Sequence, residues 1–181
     1  KFIPIKCNKF DDGYGYSNHF NIHLSWMRLA DIYLMYAEAA ANAGGSAASK
    51  ASNCSLSALD AVNKIRKRAG VENVNSKYTG SLDGFLSELR RERAVELAYE
   101  GHRFNDLRRW LLLTEFPYNI KTSQEFIRAG AINEDEPSLN AVSGFTEKVI
   151  LTRNFTDKHY WLPLKKSDTS LYPEFGQNPG W

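Results

Sequence analysis

With 181 residues, 43% of them apolar, the chain is long enough for a proper core and lacks the composition of a disordered polymer. Lys and Arg number 23 against 21 Asp and Glu, a net charge of +2, so no overall field draws the chain to nucleic acid or an anionic bilayer. The apolar run "WLLL" falls far short of the ~20 residues that span a membrane as a helix.

The opening "KFIPIKCNKF" lacks an initiator Met and the apolar core of a signal peptide, which reads as the start of a fragment. Ile3, Ile5 and Cys7 alternate with polar neighbours as in an edge strand, and "DDGYGYSNHF" carries turn chemistry. Cys7 and Cys54 show no CxxC spacing and fit either two free thiols or one bridge.

A first helix is expected over 25–43, with Leu29, Ile32, Tyr33, Tyr36, Ala40 and Ala43 on its buried face and Gly44 and Gly45 as its stop. The small polar "SAASKASNCS" leads into a returning helix from about Ser57, where Ser57 and Asp60 have capping-box spacing. Its expected stripe is Leu59, Val62, Ile65 and Ala69, ending at Gly70 and including Arg66. The two helices together predict a helical hairpin.

A third helix is expected from Leu82 to Glu100 or beyond, capped by Thr79 or Ser81 and bent at Gly101. Beyond Trp110 the periodicity fades. "TSQEFIRAG" suggests a short capped helical turn from Thr122 or Ser123 to Gly130, and "NEDEPSLNAVSG" a loop. "EKVILTRNF" and "HYWLPL" are rich in β-branched and aromatic residues, as two strands of a small hairpin would be, and the Pro- and Gly-containing tail is expected to run irregularly, pinned by Trp181. The expected architecture is mainly α, with helical hairpins, a small β-hairpin and long irregular C-terminal segments: strand and loop over 1–24, helical core over 25–110, loops and hairpin over 111–181.

The third helix puts charge where core should be. Leu82, Phe85, Leu86 and Leu89 share a stripe that continues into Arg93, Glu96 and Glu100. Glu96 and Glu100 lie one turn apart, and glycoside hydrolysis uses paired carboxylates, but such a pair faces across a cleft and one member must hold its proton. Guanidinium groups nearby keep carboxylates ionised, which suits ion pairing. Arg66, Arg93, Glu96, Glu100, Arg103 and Asp106 are therefore expected to form a structural network where helices meet.

Other chemistries find less support. "RKR" at Arg66 to Arg68 and "LRRW" ending at Trp110 lie among acids on amphipathic helices, so no nucleic-acid partner is expected. His19 and His23 have i, i+4 spacing without a third ligand, and Asp11 and Asp12 lack the periodicity of a calcium loop, so no metal is expected. No Walker A motif, nucleophile elbow or GxGxxG occurs, and no cofactor is expected. Asn53 and Asn154 lie in N-x-Ser/Thr sequons, which matter only in a eukaryotic secretory pathway. Tyr14, Tyr16, Phe20, Trp26 and Tyr118 remain as candidates for an aromatic surface on which sugars stack.

Several stretches together resemble the C-terminal region of the SusD/RagB family of outer-membrane nutrient-binding lipoproteins of Bacteroidetes. They are "RLADIYLMYAEAAANAGG" from Arg28, "ALDAVNKIRKRAGV" from Ala58, "ERAVELAYEGHRFNDLRRW" from Glu92, "YWLPL" at Tyr160 and the terminal "QNPGW". "WLPL" departs from the family's Pro-Ile-Pro by its single proline. The resemblance implies TPR-like helical pairs, although the TPR consensus itself is not fulfilled. It also implies a non-enzymatic protein that captures oligosaccharides for a SusC-like TonB-dependent transporter, held at the cell surface by a lipid anchor outside this chain. The competing expectation is a TPR-like protein-interaction module that binds no sugar. The matched motifs are structural, so the resemblance carries over no binding residue.

Overall fold

The computed structural model describes residues 26–133, 136, 140–172, 174 and 176–181. The expected opening strand and loop, with Tyr14, Tyr16 and Phe20, lie outside them. The chain divides after Arg103 into two compact units. It is mainly helical, with one two-stranded antiparallel sheet among the described residues.

In the first unit, α1 spans Leu29–Gly44, α2 Ala58–Arg68 and α3 Leu82–Glu96. Helix α1 ends where Gly45 turns left-handed at φ 75° and donates its N–H to Ala41 O, a conformation glycine adopts without steric cost. Helix α2 opens with a complete capping box: Ser57 accepts from the Asp60 N–H, and the Asp60 carboxylate accepts from the Ser57 N–H. Ser81, not Thr79, caps α3 by accepting from the Gly84 N–H. Tyr36 ties the intervening loop to α1, its hydroxyl donating to Leu56 O at 2.5 Å and accepting from the Ala51 N–H at 3.2 Å.

The core face of α1 differs from the expected one. Ala30, Leu34, Ala37 and Ala41, at i, i+4, i+7 and i+11, are buried, whereas Leu29 and Ile32 are exposed. Small residues face inward because α2 and α3 both pack on this helix, and alanines let helix axes approach closely. Helix α2 buries Ala58, Ala61, Val62 and Ile65, while Leu59 is half-buried and Ala69 exposed. Phe85, Leu86, Leu89 and Leu97 complete the core from α3 and the residue after it.

The third helix stops at Glu96 instead of reaching Glu100. Tyr99 and Gly101 take positive φ of 65° and 82°, breaking the hydrogen-bond ladder before α4, His102–Arg109, begins. Helix α4 therefore spans the division between the units.

In the second unit, β1 spans Ile120–Arg128 and pairs antiparallel with β2, Val142–Thr152. This corrects two expectations. "TSQEFIRAG" does not make a helical turn, and "HYWLPL" is not the partner strand; residues 157–160 form a short 3-10 turn. Register runs from Ile120↔Thr152 to Arg128↔Val142, with irregularities at Lys121/Thr122 and Glu125/Ile127. Almost every hairpin residue is exposed, which explains why no in–out alternation marks the first strand.

The tail carries a last short helix, α5, over Lys166–Leu171, and then a latch. Gln177 accepts from the Leu164 N–H and donates to Leu164 O, as a neighbouring strand would. Asn178 donates to Leu162 O, and the Trp181 indole donates to the carbonyls of Lys158 and Trp161. Phe104, Phe155, His159 and Trp181 make successive tilted and edge-on ring contacts.

Candidate functional site

The charged stripe of α3 proves wider than its last turns. Glu88, Glu92 and Glu96 recur every four residues and are buried, so they share one face of the helix. Arg66 of α2 donates to Glu92 at 2.7 Å and approaches Glu88 at 3.5 Å, while Arg68 donates to Glu96 at 2.5 Å. Arg91 forks onto Glu88 at 2.8 and 2.9 Å. Its hydrogen bonds, and then its charge and that of Arg66, hold the Glu88 carboxyl below the usual range against the opposing effect of burial.

Helix α1 supplies the other partners. Arg93 donates to Asp31 at 2.7 Å, both side chains about 5% exposed or less. Arg28, the residue before α1, grips the end of α3: its guanidinium binds the Glu96 carboxylate, donates to Glu96 O at 2.5 Å and donates from Nε to Glu100 at 2.8 Å. The Glu100 hydrogen bond is the leading reason the Arg28 pKa is raised.

Of the residues singled out in the sequence, Arg66, Arg93, Glu96 and Glu100 thus join ion pairs linking three helical segments of the first unit. Arg103 is exposed at the end of that unit, and Asp106, in the second, pairs with Arg109 one turn along α4 at 3.0 Å. Sequence reasoning missed Arg28, Asp31, Glu88 and Glu92. Two signals marked the acids among them: the four-residue recurrence of Glu on α3, and an acid in the first turn of a helix otherwise almost without charge.

Chemically, the arrangement opposes acid–base catalysis at Glu96 and Glu100. Both carboxylates, at and just beyond the end of α3, bind the same Arg28 guanidinium, whereas glycoside hydrolysis needs two groups across a cleft with separated proton affinities. Among the described residues no group of three His, Cys, Asp or Glu is placed to hold a metal. No helix among them is long and apolar enough to cross a membrane.

The aromatic candidates stand apart. Trp26 is 97% exposed, immediately before the Arg28 clamp. Tyr118 is half-buried in the second unit, where its carbonyl accepts from Arg153 at 3.0 Å. Tyr99, which sequence reasoning passed over, is 77% exposed.

Comparison with known proteins gives a consistent answer. The SusD family model matches residues 4–181. A SusD-like protein P25 from Formosa agariphila is 37% identical over 95 residues, covering 52% of this chain and 16% of that protein. A crystal structure of a SusD-like protein (BF3747) from Bacteroides fragilis superimposes with a TM-score of 0.62 at 25% identity, covering 87% of this chain and 26% of that one. The solved structure of BT4246 gives 0.58 at 27% identity, covering 86% and 23%. The chain therefore spans about a quarter of the length of these structures and less of the curated relative. Matched along nearly its whole length, the chain belongs to the SusD family.

Proposed function

We propose that this chain is part of a glycan-binding component of a nutrient-uptake system, which captures oligosaccharides at the cell surface for a SusC-like TonB-dependent transporter without cleaving them. The observation that carries this reading is the family match over residues 4–181. The likeness to a solved SusD-like protein from Bacteroides fragilis supports it. The ion pairing of Glu96 and Glu100 favours a binding role over hydrolysis, since both carboxylates hold the Arg28 guanidinium instead of facing each other across a cleft.

In this reading the protein resides at the outer membrane, held there by a lipid anchor. The buried ion pairs fix the helices, and exposed aromatic side chains receive the sugar. Trp26 is the described ligand candidate that presents a free ring; Tyr14, Tyr16, Phe20 and Tyr118 remain proposed contacts. The test is titration calorimetry of the natural protein containing this chain against plant, host and microbial glycans, combined with co-purification of its transporter. Saturable heat with at least one glycan class supports the proposal. Transporter capture with no heat from any glycan would favour a helical protein-interaction module.

A further inference from the structure

The 3-10 turn over 157–160, in the second unit, is closed by a hydrogen bond whose direction is fixed. The Thr156 N–H lies 2.9 Å from His159 Nδ1. A backbone N–H can only donate, so Nδ1 offers its lone pair and the imidazole is neutral, with its proton on Nε2. Charging the ring puts a proton on Nδ1 and ends that bond. Thr156 Oγ1 and Thr156 O lie 3.1 Å from the same nitrogen, but the carbonyl already accepts from the His159 N–H at 2.9 Å. Neither contact relieves the opposition between two N–H groups pointed at each other.

This turn is what the C-terminal latch grips. The Trp181 indole donates to Lys158 O at 2.9 Å and to Trp161 O at 3.1 Å, and Arg108 donates to Tyr160 O at 2.6 and 3.1 Å. Gly180, at φ 84°, brings the tail so close that a Cβ there would sit 2.7 Å from Lys158 Cβ. His159 itself is half-buried, edge-on to Phe155 at 5.4 Å and to Trp181 at 5.6 Å between centroids. Among the described residues, the charges recorded on this series of rings are positive: Lys158 Nζ lies 4.4 Å from the Trp181 centroid, and the Arg108 guanidinium 5.6 Å from that of Phe104. Asp157, the acid of the turn, is exposed and screened by solvent. A proton on His159 thus removes an acceptor and adds a third cation to the series.

We propose that His159 is a pH-sensitive pin: neutral, it closes the turn on which Trp181 docks, and protonated, it opens that turn and loosens residues 177–181. The proposal stands apart from glycan binding. Imidazoles change charge between about pH 5 and 8, above the range in which carboxyls titrate, so the segment opens in mild acid while the ion-paired helices of the first unit stay folded.

The test is amide hydrogen exchange of the natural protein at about pH 7.5 and about pH 5.5, corrected for the intrinsic pH dependence of exchange, on wild type, H159N and H159F. Asn offers the Thr156 N–H an acceptor that does not titrate, and Phe keeps a ring between Phe155 and Trp181 with neither acceptor nor charge. Wild type should lose protection by about two- to tenfold over 156–164 and 177–181 at the lower pH, while 58–68 stays unchanged. H159N should stay protected at both pH values, and H159F should be loosened equally at both. Unchanged protection in wild type would overturn the pin. A wild-type pH response that persists in both variants would assign it to another group, and an equal loss over 58–68 would make it global; either result overturns the proposal.

Discussion

Arg93 of α3 donates to Asp31 of α1 across 2.7 Å, and both side chains are shut off from solvent. The pair ties two helices through charge at a point where the stripe pattern alone would place leucine. Removing one partner leaves the other's buried charge without this ion pair. Asp31→Ala or Arg93→Ala should each cost about 3 to 5 kcal/mol, and joint replacement of the pair by apolar residues of similar volume should cost much less. Denaturant melts of the single and double variants read this directly, and equal losses for all three would argue against an uncompensated buried charge.

The capping box at the start of α2 carries a smaller, local contribution. Ser57→Ala removes the acceptor of the Asp60 N–H and should lower stability by about 1 kcal/mol, whereas Ser57→Gly should cost only a few tenths. Thermal melts distinguish the two.

Acidification should loosen the chain, in a direction set by two carboxyls. Hydrogen bonds from Arg91 depress the Glu88 pKa, and those from Ser57 depress that of Asp60. Each group binds protons less readily folded than unfolded, so its stabilisation is complete above the ordinary carboxylate range, about pH 4, and is lost as pH falls through the depressed values. The denaturation midpoint should hold from neutrality to about pH 5 and decline below about pH 4. Arg91→Gln should flatten part of that decline, and a midpoint that climbed on acidification would contradict the assignment.

The terminal latch makes a regional prediction. Gln177→Ala breaks both hydrogen bonds to Leu164, each worth about 0.5 to 1.5 kcal/mol. Amide hydrogen exchange should accelerate at Leu164 and its neighbours while the amides of α1 to α3 keep their protection. Uniform acceleration would show that the latch holds more than its own segment.

Much of the helical unit was legible in sequence because its signals are local. Gly45, the Ser57–Asp60 box and Ser81 each sit within one turn of the group they satisfy. The core face of α1 was not, because alanine counts little in a hydrophobic pattern yet is what two packed neighbours select. Strand β1 was missed for a related reason: with both faces exposed it carries no period-two signature, and its partner begins beyond residue 140. The importance of Glu96 and Glu100 could be read from the stripe, but their partner Arg28 lies about seventy residues away, and only folding brings it there.

The central claim is that the protein carrying this chain binds sugar chains and leaves them intact. The most direct measurement incubates the natural protein with an oligosaccharide that gives calorimetric heat, then resolves the recovered sugar by chain length. Recovery of unshortened chains without new reducing ends is predicted. Progressive shortening, abolished by E96Q or E100Q in a protein that still melts normally, would contradict it and return those carboxylates to a catalytic role.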